Sequence, residues 1–155
     1  MQGRLHEASY YLNPGPGYPD HKDWMRLAKR VETFIGQEIE AIIEEDNRYI
    51  IKSSGNSVLI AESNTSFYLR LRLWKGSNGK ERETGWVKVD YLVIGQLFRC
   101  QGLGSKIVEL IIDWIHELQA FNHICLYARG EAVPFWVKCG FVQELQSGRM
   151  SYNYF

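Results

Sequence analysis

The sequence predicts an α+β fold in which helices flank a mixed, mostly antiparallel central sheet. Three observations carry this. Apolar residues recur at helical spacing behind Asp20 and again behind Gly104. Between those stretches the period drops to two, most cleanly over Ser66–Trp74 and Trp86–Ile94. A strand–helix–strand pattern over 86–128 then requires one parallel crossover within the sheet.

Residues 1–20 read as an irregular lead-in, punctuated by Asn13-Pro14-Gly15-Pro16-Gly17 and Pro19. Asp20 is an N-cap and Asp23 its capping-box partner. Trp24, Leu27, Ala28, Val31, Phe34, Ile35, Ile42 and Ile43 then predict one long amphipathic helix over about 21–45. Tyr49–Lys52, the turn Ser53-Ser54-Gly55-Asn56 and Val58–Glu62 form a hairpin. Ser66–Trp74 presents Phe67, Leu69, Leu71 and Leu73 on one face and Tyr68, Arg70, Arg72 and Trp74 on the other. After the polar loop Lys75–Gly85, strict alternation over Trp86–Ile94 groups Val87, Val89, Tyr91 and Val93. Trp86, Lys88, Asp90, Leu92 and Ile94 fall opposite them. The helix over 104–119 turns Ile107, Ile111, Trp114, Ile115 and Leu118 inward. Ile124–Ala128 is a short buried strand, and Glu131–Lys138 a short helix closed by Gly140. Phe141–Leu145 and Arg149–Phe155 end the chain as a strand pair. No repeat or linker divides residues 1–155, which read as a single domain.

Composition narrows the function classes. At 155 residues a real core is available without staples, and 14% aromatics argues against disorder. Eighteen basic and eighteen acidic residues give zero net charge, which argues against general affinity for nucleic acid or membranes. Cys100, Cys125 and Cys139 are odd in number and form no CxxC, so neither a disulfide framework nor a zinc site is expected. The four histidines lack ligand spacing, and no metal is expected. No apolar run approaches the roughly 20 residues of a membrane span. The N-terminus has no apolar leader core. The expected location is the cytoplasm.

The informative stretch is Arg99-Cys100-Gln101-Gly102-Leu103-Gly104-Ser105-Lys106, between a strand and a strongly apolar helix. Its glycines let a ligand approach the backbone, and the first-turn N–H groups of the helix form an anion site suited to phosphate. A P-loop would need a glycine five residues before Gly104, and a Rossmann turn a small residue at Ile107; both spacings fail. A glycine turn that binds nothing is the plain alternative.

Three ordered elements together resemble the GNAT superfamily of N-acetyltransferases. Arg99-Cys100-Gln101-Gly102-Leu103-Gly104 fits that family's Arg/Gln-x-x-Gly-x-Gly/Ala loop. Asp90-Tyr91-Leu92-Val93-Ile94 resembles the strand that precedes it, and Leu126–Phe141 the second family signature. The resemblance covers residues 86–155 well. It implies a GNAT-like mixed sheet with a splayed central strand pair, and acetyl-CoA as co-substrate. It further implies that Arg99, Cys100, Gln101, Gly102, Leu103, Gly104 and Ser105 hold the pyrophosphate. Leu92, Val93 and Ile94 would run beside the pantetheine arm, with Phe135 near it and Lys138 near the phosphates. For Arg99 and Lys138 a solvated surface role is the other reading.

Acyl transfer to an amine calls for a base, an oxyanion donor and sometimes an acid. Asp90 is the candidate base, its carboxyl expected beside Leu92 and Ile94; a carboxylate paired with Lys88 or an arginine is the alternative. The family's usual acid is a tyrosine where this chain has Trp136, whose indole N–H cannot give up a proton on demand. Tyr127 is the candidate replacement, with Tyr91, Tyr152 and Cys139 also possible. The expected function is transfer of acetyl from acetyl-CoA to a primary amine of a small molecule or peptide. No nucleic acid or membrane partner is expected, and the protein would be a monomer or homodimer. The alternative is a non-catalytic acyl-CoA-binding sensor or scaffold, which Trp136 favours.

Overall fold

In the computed structural model, which describes residues 5–7, 17–54, 67–75, 85–94, 102–144 and 148–154, the first helix begins at its capping box. The N–H of Asp23 donates to Asp20 Oδ1 at 2.8 Å, and the N–H of Asp20 donates to Asp23 Oδ2 at 3.1 Å. Two orphan donors at the helix start are thereby satisfied. This helix, α1 (His21–Ile35), buries Trp24, Leu27, Ala28 and Val31.

It stops well short of residue 45. Gly36 takes a left-handed φ of 72° and its N–H returns to Glu32 O at 2.7 Å, which closes the helix. Ile39–Glu44 then forms a strand, β2, with Ile39, Ala41 and Ile43 buried. Ile42 and Ile43 fit a helical stripe and an alternating strand equally well, and tertiary pairing decides for the strand. Strand β2 runs antiparallel to β3 (Arg48–Ser53) and parallel to β1 (Leu5–Glu7), a strand inside the lead-in expected to be irregular. The expected partner at 58–62 lies outside the described residues. What β3 does pair with, besides β2, is β4 (Phe67–Trp74).

The remaining elements are β5 (Gly85–Ile94), α2 (Leu103–Leu118), β6 (Phe121–Tyr127), α3 (Val133–Lys138), β7 (Val142–Gln143) and β8 (Arg149–Asn153). A 3-10 turn over Gly130–Ala132 leads into α3, so the expected helix over 131–138 divides at Val133. The strand order is β1-β2-β3-β4-β5-β6-β8-β7. The sheet is mostly antiparallel, and β5–α2–β6 is the parallel crossover.

All three helices contribute to one core cluster with a single sheet face: Ile39, Ala41 and Ile43 of β2, Tyr49 and Ile51 of β3, Phe67, Leu69, Leu71 and Leu73 of β4. Trp24 and Trp114 meet at 5.4 Å between ring centroids and join α1 to α2. Both indoles are satisfied, Trp24 Nε1 donating to Ile50 O at 3.1 Å and Trp114 Nε1 to Asp23 O at 2.8 Å. Burying each such ring contributes about 2–3 kcal/mol, and the hydrogen bonds remove the cost of its polar end. Among the described residues, the opposite sheet face, which carries Arg70 and Arg72, supplies none to this cluster.

Candidate active site

The site begins with a ladder that ends early. Strand β5 pairs with β4 through Ile94, but with parallel β6 only from Gly85↔Phe121 to Lys88↔Cys125. Beyond Lys88 the two strands part while β6 continues along β8 to Tyr127↔Arg149. The central pair is splayed, and backbone edges face each other across an opening within the sheet.

A bulge sits at the same point. Leu71 pairs with Val89 and Arg70 with Tyr91, so Asp90 is the extra residue of β5. One inserted residue reverses the alternation beyond it. Leu92 and Ile94 therefore oppose Leu69 and Phe67 and pack against the core, whereas Tyr91 and Val93 oppose Arg70 and Tyr68. This corrects the expected grouping of Asp90 with Leu92 and Ile94. Asp90 lies instead on the cationic face, its side chain 7% exposed, with Arg70 Nε at 3.4 Å, Lys88 Nζ at 3.5 Å and Arg72 Nε at 3.6 Å. It is the carboxylate of an ion-pair cluster, the alternative that its sequence neighbours allowed.

On the core side of the opening, Gly102 adopts a φ of 74° and caps α2 without any side-chain hydrogen bond. A Cβ there would meet nothing within 4 Å, but φ in this region favours glycine. The first-turn amides of Leu103, Gly104 and Ser105 lack intrahelical acceptors, and no acidic residue occupies that turn. Gly104 is where elements meet. A Cβ on it would lie 3.1 Å from Phe135 Cε1 and 3.5 Å from Ile94 Cδ1, so β5, α2 and α3 converge there. Ser105, Lys138 and Cys139 line one end of a cleft of about 270 Å³ between α2 and α3, with Glu109 and Asp113 also in its wall. Burial pushes the Cys139 thiol up, partly offset by its hydrogen bond with Ser105. Arg99, Cys100 and Gln101 lie outside the described residues.

Tyr127 ends β6 beyond the splay and is 64% exposed; Lys88 Nζ stands 5.5 Å from its ring centroid. Lys88 thus links Asp90 to Tyr127. Trp136 is 8% exposed and packs edge-on against Phe135 and Phe141, each at 5.1 Å. It serves the core. Tyr91 carries Arg70 at 4.7 Å from its ring centroid, and Tyr152 lines the α2–α3 cleft. The sequence reading missed a cross-strand ring row, Trp74–Trp86–His123, with centroids 4.0 and 5.9 Å apart and interplanar angles of 14° and 3°. Tryptophans at facing strand ends were its only signal. Among the described residues, no group of three or more His, Cys, Asp or Glu side chains is placed to hold a metal. None of the described helices is long and apolar enough to cross a membrane.

A mixed sheet split beyond a bulged strand, with a glycine-capped helix start beside the split, sets an anion site next to an open strand edge. Comparison with family models makes this specific: the acetyltransferase (GNAT) family model matches residues 18–141, and the chain belongs to that family. None of the curated proteins compared matches the sequence. Solved structures with a similar fold include an acetyltransferase of the GNAT family from Streptococcus pneumoniae, 18% identical, covering 71% of this chain and 69% of that one at a TM-score of 0.46. A KacTA–DNA complex is 17% identical, covering 68% and 67% at a TM-score of 0.48. AtaT complexed with acetyl-methionyl-tRNAfMet is 15% identical, covering 68% and 69% at a TM-score of 0.46.

The last two overturn the expected partner set, a small-molecule or peptide acceptor with nucleic acid excluded. The error was physical. A net charge of zero is an average over the whole chain and says nothing about where charge collects. Here Arg70, Arg72 and Lys88 gather on one sheet face around a single carboxylate.

Proposed function

We propose that the protein moves the acetyl group of acetyl-CoA to a primary amine by direct attack within the β5–β6 opening. The early end of the Lys88↔Cys125 ladder, beside a start of α2 whose Gly102 cap offers no side chain, supports this reading. The residues present fit acetyl-CoA: Gly102 leaves open space at the helix start, while at Gly104 a Cβ would crowd Phe135. The amides of Leu103, Gly104 and Ser105 would hold the diphosphate, with Lys138 at the cleft end beside Ser105. Arg99, Cys100 and Gln101 would extend the same cradle. The β5 edge at Leu92, Val93 and Ile94 would guide an extended arm, flanked by Phe135.

When bound, acetyl-CoA supplies an acyl group already activated as a thioester. Tyr127 is the proton donor in this reading, because it stands beyond the splay where Trp136 is committed to the core. Lys88 sets the position of the Tyr127 ring, and Asp90 holds Lys88. Asp90 is therefore a positioning residue, and the attacking amine loses its proton to water at the open face.

Gly102→Glu tests the cradle. A Cβ at this position meets no atom within 4 Å, so the fold should survive with the left-handed backbone penalty of about 1–2 kcal/mol. It also brings a carboxylate to the phosphate position. Calorimetric affinity for acetyl-CoA should fall at least about 100-fold, roughly the 2.7 kcal/mol or more expected of such a charge clash. An unchanged affinity in a folded variant would remove the loop from the site.

A further inference from the structure

Tyr127 ends the ladder between β6 and β8, where its register partner is Arg149. The N–H of Ala128 donates to Gly148 O at 2.9 Å. That makes Ala128–Gly148 a hydrogen-bonded pair and Tyr127–Arg149 the closely spaced kind that exchanges no backbone hydrogen bond. Side chains of such a pair stand next to each other on one face of the sheet. Tyr127 and Arg149 are accordingly within electrostatic reach of each other. From β5, Lys88 brings its Nζ to 5.5 Å from the centroid of the same ring.

Both cations are themselves anchored. Arg149 donates to the sulfur of Cys125, two residues before Tyr127 on β6. Its Nη1 stands 3.5 Å from Glu144 Oε1, and the N–H of Glu144 donates to Arg149 O at 2.9 Å. Lys88 is held by Asp90 at 3.5 Å. Charge therefore alternates along Asp90, Lys88, Tyr127, Arg149 and Glu144, with the phenol as the neutral member between two cations. Packing alone does not fix that ring, which is 64% exposed.

We propose that Arg149 is a positioning residue for Tyr127, holding its ring at the opening and stabilising the charge left on its oxygen when the proton departs. The proposal rests on the reading of Tyr127 as proton donor. As the thioester C–S bond breaks, the electron pair goes to the sulfur and Tyr127 gives that sulfur its proton. The phenolate left behind lies between Lys88 and Arg149, and water at the exposed mouth returns the proton. Cations anchored beforehand need no rearrangement at the moment the charge develops.

Two readouts test this: thiol release from acetyl-CoA with glycinamide as the probe amine, and fluorine NMR of the full chain labelled with 3-fluorotyrosine. The resonance lost in Tyr127→Phe identifies that ring. Arg149→Gln should move the Tyr127 resonance toward that of free fluorotyrosine. It should also slow thiol release about tenfold, as for loss of one charge-assisted contact. Arg149→Lys, which keeps the charge without the planar fork, should recover most of that rate. In the Tyr127→Phe background Arg149→Gln should slow nothing further, because a residue acting through another loses its effect once the other is gone. Unchanged circular dichroism and acetyl-CoA affinity would separate this role from the fold and from the coenzyme site. If Arg149→Gln does not fold, Arg149→Met, which keeps the apolar stem, takes its place. The proposal is overturned by an unmoved Tyr127 resonance, by a wild-type rate in the folded variant, or by equal slowing with and without the Tyr127 hydroxyl. A wild-type rate in Tyr127→Phe would instead remove Tyr127 as donor, and the resonance would still decide whether Arg149 holds the ring. If the wild type does not turn over glycinamide, the resonance alone decides.

Discussion

Asp90→Asn preserves the volume of the side chain and removes its charge, leaving three cations around a neutral amide. Their nitrogens stand 3.4, 3.5 and 3.6 Å from the carboxylate oxygens. At an effective dielectric of ~20, each contact is worth about 5 kcal/mol before desolvation is counted. Side chains of Arg70, Arg72 and Lys88 are 24%, 29% and 32% exposed, so solvent screens every pair. Pairs with that much exposure contribute about 1 kcal/mol each. Losing all three while leaving like charges adjacent should cost about 2–4 kcal/mol, near the range for breaking a pair with a buried member. Urea unfolding followed by tryptophan fluorescence measures it. Salt identifies the cause, because at about 1 M the screening length drops to ~3 Å and the deficit should shrink by roughly half. On the proposed reading, in which Asp90 positions Lys88, the pH–rate profile should keep its shape. A loss under about 0.5 kcal/mol, the scatter of ordinary surface changes, would refute the ion-pair cluster. A variant profile that loses its acid limb would return Asp90 to the role of base.

Two further outcomes follow from the same geometry. Tyr127→Phe should lower the rate of thiol release about 100-fold, the lower end for a positioned acid, while the affinity for acetyl-CoA stays unchanged. An unaltered rate would mean that the thiolate departs without its help. His123 has a folded pKa lowered by burial, so the unfolded chain takes up a proton that the folded chain resists. Its contribution is complete above the unfolded value of about 6.5 and declines as pH falls through it toward the folded value. His123→Gln should flatten the drop in melting temperature between about pH 7 and pH 5, and an identical acid slope in both proteins would refute the assignment.

The C-terminal half was readable because its signals are local and redundant. Gly102 and Gly104, the apolar stripe of α2, and Pro134 through Phe141 each specify backbone and contacts within a few residues. The fold class was readable for the same reason. What failed was decided at long range. Ile42 and Ile43 carry no local mark that separates helix from strand; β3 across the sheet settles it. The bulge at Asp90 has no sequence signature, because an extra residue is defined only against the partner strand. That single residue moved Leu92 and Ile94 to the core face and left Asp90 behind with Lys88 and the arginines. The Trp74–Trp86–His123 row was hidden likewise, since its members come from three strands and only register aligns them.

The parting of β5 from β6 gives the sheet a seam. Among the described residues, five strands lie on one side of it and three on the other, riveted at Gly85–Lys88. Exposed strand margins ordinarily invite a second chain and clumping. Here the margins face each other inside the sheet instead of lying at its outer edges. On the proposed reading the seam would admit a thread: a guest thin enough to slide in lengthwise and, once seated, to stitch the two ribbons into one.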